Sequence, residues 1–252
     1  MSKPINIERK TKLAQLIMMK GSISVKELAK EFNVSTETIR KDLISLEKDN
    51  IISKGHGGAT ISSNYLESHF DAKLFKNIEI KSRIAQKAVE MIPEKGIVIL
   101  DSGTTVLQIA KLLNLRSDLV IITSSLIVAQ ALENTSNQLL ITGGQLRKKS
   151  MSFVGNWAVK AIESMQVDIA FVGCDGFHAD GPCTRSYKEL EVKNMILKSS
   201  KKVVLVSDSS KFFMHGLYRF ATFDQIDCLI TDTNIKDEQR ELLPSNIEVR
   251  II

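Results

Sequence analysis

Apolar residues recur at helical spacing over residues 9–19, where Leu13, Leu16, Ile17 and Met18 fall on one side. Gly21 closes that helix as a C-cap. A second amphipathic run over 25–32 turns Val25, Leu28, Ala29 and Phe32 inward. Ser24 caps it, and Glu27 three positions on completes a capping box. Asn33-Val34 is a tight connection, and Ser35 opens a third helix whose Ile39, Leu43 and Leu46 face inward. The segment Asn50–Ala59 reads as two short strands around a turn. Two helices across a short turn, followed by a strand pair, form a winged helix-turn-helix, which lays its recognition helix in a DNA major groove.

Residues 61–80 are polar and weakly periodic. Ser62-Ser63-Asn64 marks a linker, and 66–79 carries partial helical character. From Ile80 the pattern changes to short apolar runs of the buried-strand type: 97–100, 119–122, 139–141, 169–172, 203–206, 228–230 and 247–251. Helical patterns at 104–113, 125–134, 153–165 and 188–199 separate most of them, with Phe153 and Trp157 read as core. Strand alternating with helix predicts an α/β body with a mostly parallel sheet covered on both faces. The expected division is therefore 1–60 for the winged helix, 61–74 for the linker and 75–252 for the larger domain.

Charge sharpens this division. Of the net +5 over 252 residues, residues 1–60 carry +4 and the rest +1. The surplus lies where phosphate attraction would need it. Cys174, Cys183 and Cys228 are odd in number and form no Cys-x-x-Cys pair, which argues against a disulfide framework or zinc site. His69, His178 and His215 show no metal spacing, so neither metal nor cofactor is expected. The first residues hold no apolar signal core, and no apolar run reaches membrane-span length. A cytoplasmic protein without membrane contact is the expectation.

Ligands in parallel α/β sheets sit beyond the carboxyl ends of the strands. Here those ends read Asp101-Ser102-Gly103-Thr104-Thr105, Thr123-Ser124-Ser125, Thr142-Gly143-Gly144, Gly173-Cys174-Asp175-Gly176 and Ser207-Asp208-Ser209-Ser210-Lys211. Small residues let a ligand approach the backbone, and hydroxyls with helix-start N–H groups favour an anion such as a phosphate. Lys211 could add positive charge, and Asp101, Asp175 and Asp208 could accept from sugar hydroxyls. The same residue types also serve as turns and N-caps; it is their recurrence at five strand ends that points to a site. Arg147-Lys148-Lys149 reads as a solvated loop, with a phosphate contact left open. Cys174 and Cys183 read as packing residues.

On the third helix, Thr36, Glu37, Arg40 and Lys41 are the groove-facing candidates, following the cap residue Ser35. Arg40 could read guanine through two hydrogen bonds. Thr38 and Lys54 suit phosphate contacts, and Lys26 could lie near the DNA backbone. His56 either supports the wing or touches the backbone.

Together, Val34–Leu43, Leu46-Glu47, His56-Gly57-Gly58-Ala59, Asp101–Thr105, Gly143-Gly144, Gly173–Gly176, Gly181 with Thr184, Glu189 and Lys193, and Asp208–Lys211 resemble the DeoR family of bacterial sugar-metabolism regulators over almost the whole length. Departures are Lys41 where the family usually has arginine, Ser124 where it commonly has asparagine, and Pro182-Cys183. The resemblance implies an effector-sensing domain from about residue 75, similar in fold to ribose-5-phosphate isomerase and the coenzyme A transferases. It implies a repressor of a sugar or polyol operon that binds a double-stranded operator as a dimer or tetramer. It also implies a phosphorylated sugar as effector, with Glu189 and Gly176 among the contacts. The alternative is a phosphosugar isomerase-like enzyme with an attached DNA module, using Asp175, Glu189 and Lys193 as acid–base groups.

Overall fold

The computed structural model describes residues 9–10, 12–13, 16–17, 22–48, 52–55, 58–61, 70–214, 216–245 and 247–252. The chain divides into two compact units, Met1–Lys76 and Asn77–Ile252.

In the first unit, the described residues between 9 and 17 are helical. Strand β1 (Ser22–Ser24) leads into helix α1 (Val25–Glu31), capped by Ser24 with the reciprocal Glu27 contact of a capping box. The connection to α2 (Thr36–Lys48) turns on Asn33, whose φ of 50° is tolerated because asparagine enters the left-handed region more readily than most residues. Ser35 accepts from the Thr38 N–H at 3.1 Å and so caps α2. Strands β2 (Ile52–Gly55) and β3 (Gly58–Ile61) form the antiparallel wing. β1 adds a third strand against β3 that the sequence pattern did not reveal. Leu13, Ile17, Leu28, Ile39, Leu43, Leu46 and Ile52 form one small buried core. Each such side chain contributes about 1.5–3 kcal/mol by leaving water. The expected Gly21 cap, the wing turn with His56 and Gly57, and the linker residues 62–69 lie outside the described residues. Helix α3 (Phe70–Leu74) falls in the stretch expected to be partly helical.

The second unit opens with α4 (Ile78–Val89), a helix the sequence pattern did not give beyond residue 79. Its sheet contains β4 (Ile97–Leu100), β5 (Val120–Thr123), β6 (Gln138–Ile141), β9 (Ile169–Val172), β12 (Val203–Val206), β14 (Cys228–Thr231) and β15 (Glu248–Ile251). The spatial order is β15-β14-β12-β9-β4-β5-β6, and every pair is parallel. All loops that follow these strands therefore leave from one edge. Helices α5 (Thr104–Leu113), α6 (Leu126–Ala131), α7 (Asn156–Glu163), α8 (Tyr187–Lys198) and α9 (Asp237–Arg240) occur among the connections. No described helix is long and apolar enough to cross a membrane.

Two small additions stand apart from the main sheet. One is the hairpin of β7 (Gln145–Arg147) and β8 (Ser152–Val154); the other is the antiparallel trio β10 (Gly176–His178), β11 (Gly181–Thr184) and β13 (Tyr218–Arg219). Phe153 consequently lies on a strand rather than on the expected helix. Trp157 is 79% exposed, contrary to its expected place in the core, because Ala158 and Ile162 take the inward face of α7.

Candidate functional site

Helix α2 presents two chemically distinct faces. Ile39, Leu43 and Leu46 are buried, and Asp42 is buried with them at 3% exposure. Asp42 holds the first helix through a paired contact from Arg9, with Nε at 2.6 Å and Nη2 at 3.2 Å. That hydrogen bond, opposed by burial and aided by the charge of Asp42, raises the Arg9 guanidinium above its ordinary value. Lys10 donates to Ser45 at 3.0 Å. The opposite face carries Glu37, Arg40, Lys41 and Ile44, all exposed, with Thr36 half-buried beside them. Arg40 touches only the rim of Glu37, at 3.7 Å between exposed side chains, an interaction of small worth in water.

Ile44 is 56% exposed one turn beyond Arg40, a contact candidate the sequence reading missed. Its signal was positional: it extends the series Thr36, Arg40 at four-residue steps. Lys26 is exposed on α1. The Thr38 hydroxyl lies 2.9 Å from that of Ser35, so both serve the cap. Lys54 sits on β2, but its side chain, like His56, lies outside the described residues.

In the second unit the chain leaves β4 toward β5 and β6 on one side and returns at β9 on the other. The crevice between the ends of β4 and β9 is thus a topological switch point. Asp101, just past β4, and Lys193, on α8, meet there as an ion pair with side chains 2% and 5% exposed. Lys193 also donates to the Gly173 carbonyl at 2.8 Å, while Asp101 accepts from the Gly173 N–H at 3.2 Å. Burial pushes the Lys193 ammonium down; Asp101, Glu189 and Asp175 outweigh it and hold it above its ordinary value.

Around this pair, Thr184 donates to Glu189 at 3.1 Å and lies 3.3 Å from Asp175, which also accepts from the Arg185 N–H at 3.1 Å. Arg147 joins from the hairpin, donating from Nη1 to Glu189 at 3.2 Å and Ser150 at 3.2 Å. Its side chain is only 16% exposed, so the solvated-loop reading fails for this residue. Asp175, Glu189, Thr184 and Arg147 form one hydrogen-bonded group, and its two carboxylates act on the Lys193–Asp101 pair through their charge.

The other expected contacts are placed more variously. Ser102 and Gly103 are half-buried, and Thr104 and Thr105 are buried at the start of α5. Gly103 has φ 147° and ψ 155°, a conformation glycine alone adopts easily, so the turn into the helix depends on it. Thr123 is fully buried and structural: it donates to the Leu100 carbonyl at 2.7 Å and accepts from the Ser125 N–H at 3.0 Å. The Ser124 carbonyl accepts from the Phe153 N–H on β8. Gly143 and Gly144 line a shallow cleft with Val154, Gly155 and Trp157, a lining that includes none of the switch-point cluster. Gly176 opens β10, opposite Cys183. The Asp208 carboxylate accepts from Asn77 at 3.0 Å and from both polar groups of Ser210, so it caps its own turn. Lys211 lies on that turn, close enough to lower the Cys174 thiol. Burial overrides this and pushes Cys174 up to about 12, so it is no nucleophile near neutrality.

Comparison with known proteins agrees with this anatomy. Residues 9–64 match the family described as the DeoR-like helix-turn-helix domain, and residues 76–233 match the DeoR C terminal sensor domain. The chain is 32% identical to the HTH-type transcriptional regulator GlpR of Haloferax volcanii, covering 94% of each. It is 31% identical to the glycerol-3-phosphate regulon repressor of Escherichia coli K12, over 89% of this chain and 90% of that protein. Among solved structures, ribose 5-phosphate isomerase A from Methanocaldococcus jannaschii overlaps 54% of this chain and 55% of its own, with a TM-score of 0.41 and 16% identity.

Proposed function

Because the chain belongs to the DeoR family, in which a DNA-binding helix-turn-helix is joined to a C-terminal sensor domain, we propose that it represses a sugar or polyol utilisation operon under the control of a phosphorylated metabolite. The observation that carries the reading is the division of labour on α2. Its back is fixed by the small core and the Arg9–Asp42 pair, leaving Glu37, Arg40, Lys41 and Ile44 exposed on a rigid rod. Arg40 reads guanine, and Ile44 meets a thymine methyl. Ser35, Thr38, Lys26, Lys54 and His56 position the backbone. The repressor works in the cytoplasm as a dimer or tetramer, matching a two-fold operator.

The effector binds at the strand ends, with Asp101, Ser102, Gly103, Thr104, Thr105, Thr123, Ser124, Gly143, Gly144, Asp175, Gly176, Glu189, Asp208 and Lys211 as the contact and supporting set. The switch-point cluster supports a polyhydroxylated, anionic ligand, since it offers both acceptors and cations. It argues against general-base catalysis by Lys193, whose raised pKa and contact with Asp101 keep it protonated. A ligand alters operator affinity only through unequal affinity for the operator-competent and incompetent states. Fluorescence anisotropy on the DNA upstream of the neighbouring operon, with and without phosphosugars, tests this. An affinity unchanged by every phosphosugar tried would refute the effector assignment.

A further inference from the structure

The β7–β8 hairpin is anchored at both sides of the crevice. On one side, Phe153 N–H donates to the Ser124 carbonyl at 2.6 Å, Leu126 N–H donates to the Met151 carbonyl at 2.8 Å, and Ser152 bridges to Ser125. These contacts fix it to the loop after β5. On the other side, Arg147 meets Glu189 in the first turn of α8, and Lys188 donates to the Gln145 side chain at 2.9 Å. The hairpin is therefore a strap from one strand-end loop to the helix that carries Lys193.

We propose that Arg147 is the effector-sensing residue of this strap, exchanging Glu189 for the anionic group of the bound metabolite and so releasing the strap from α8. This rests on the phosphosugar reading given above. Three carboxylates, Asp101, Asp175 and Glu189, surround the site, so an incoming phosphate ester meets repulsion that a second cation must offset. Lys193 cannot turn to it without abandoning the deeply buried Asp101. Arg147 can: Glu189 lies at 3.2 Å, the pair is less enclosed, with side chains 16% and 9% exposed, and a guanidinium fork matches the geometry of a phosphate.

Trp157 supplies the probe. It is the chain's one tryptophan, is 79% exposed, and lies three residues beyond Val154, where β8 ends. The full-length wild type, Arg147→Gln, Arg147→Lys and Glu189→Gln are titrated with inorganic phosphate, glycerol 3-phosphate and ribose 5-phosphate while Trp157 emission is followed. Hydrogen exchange of residues 145–154 is measured in parallel. Arg147→Gln is expected to bind about ten- to hundredfold more weakly, Arg147→Lys to fall between it and the wild type, and Glu189→Gln to bind more tightly. Exchange in the hairpin should quicken on ligand binding in the wild type, and in both Gln variants without ligand. Equal affinity of the wild type and Arg147→Gln for a probe that binds, or unchanged hairpin exchange in the ligand-free Gln variants, overturns the proposal and leaves the phosphosugar reading standing. Failure of the wild type to bind any probe overturns both.

Discussion

Removing the charge of Asp101 isolates the buried pair on which the crevice is built. Asp101→Asn keeps an oxygen for the Gly173 N–H but leaves Lys193 with no close carboxylate, only the neutral Gly173 carbonyl and the charges of Glu189 and Asp175. With the two side chains 2% and 5% exposed, water cannot compensate the orphaned ammonium. Breaking such a pair from one side costs about 3–5 kcal/mol; the remaining carboxylates place this case near the lower end of that range. For a unit the size of residues 77–252, about 3 kcal/mol lowers Tm by roughly 6–12 °C. Asp101→Asn/Lys193→Met should recover most of the loss, because no buried charge is then left alone.

The pH dependence gives a second readout for the same variant. In the wild type Lys193 is held above its ordinary 10.5, so the pair's contribution is complete below the unfolded-state value and fades only as pH rises through the higher folded one. In Asp101→Asn, burial faces weaker opposition and favours the neutral amine, so that variant gains relative stability as pH climbs. Calorimetry and urea unfolding followed by circular dichroism should show the gap between the two proteins narrowing from pH 7 to pH 10. A cost below about 1 kcal/mol at pH 7, or a gap independent of pH, would refute the reasoning.

Arg40→Ala should leave thermal stability within about 0.5 kcal/mol and weaken operator binding by about 1–3 kcal/mol; undiminished anisotropy binding would remove Arg40 from the groove. Ile44→Ser should abolish a preference for thymine over deoxyuracil at one operator position, worth about 0.8 kcal/mol per buried methyl; uracil-substituted duplexes read this directly. Asp42→Ala deprives Arg9 of its paired acceptor and should cost the first unit about 1.5–3 kcal/mol in a thermal melt, whereas a loss confined to DNA binding would contradict the structural role. Cys174, pushed up to about 12, should resist alkylation at pH 8 in the native protein and become reactive only as pH approaches that value. The stabilisation linked to its neutral thiol is complete below the ordinary 9.0 and is lost above it; rapid native labelling at pH 8 would contradict both statements.

The elements legible in the sequence were those with a strong period or an explicit cap. Ser24 and Glu27 announce α1, and the apolar runs of β4, β9 and β12 announce the central sheet. Because all seven strands are parallel, the small-residue loops do leave from one edge, as their recurrence suggested. Helix α4 was harder to see. Asn77 precedes it in a left-handed conformation and gives its amide to Asp208 rather than to a cap, while buried Lys81 interrupts the apolar face. The β7–β8 hairpin was invisible because three-residue strands are too short to show alternation, and because Met151, at φ 50°, occupies a turn where glycine or asparagine would have been the signal. Trp157 misled through its composition: a large aromatic suggests core, but its position at the second residue of α7 turns it outward.

The ion pairs were the least legible features because their partners are distant in sequence: 33 residues for Arg9 and Asp42, 92 for Lys193 and Asp101, and 42 for Arg147 and Glu189. Their burial sorts them by what each can do. A pair as enclosed as Lys193–Asp101 cannot exchange partners without exposing a bare charge to a dry interior, so it fixes α8 to the end of β4 and, through the Gly173 carbonyl, to the end of β9, giving the crevice a constant shape. Arg9–Asp42, with its carboxylate 4% exposed, does the same for the back of the recognition helix. Arg147–Glu189 lies nearer to solvent than either, with side chains 16% and 9% exposed, and is the pair proposed above to give up its carboxylate to a competing oxyanion. A sensor needs both kinds of contact: rigid pairs so that binding energy is not dissipated in local yielding, and one exchangeable pair through which that energy becomes a change of shape.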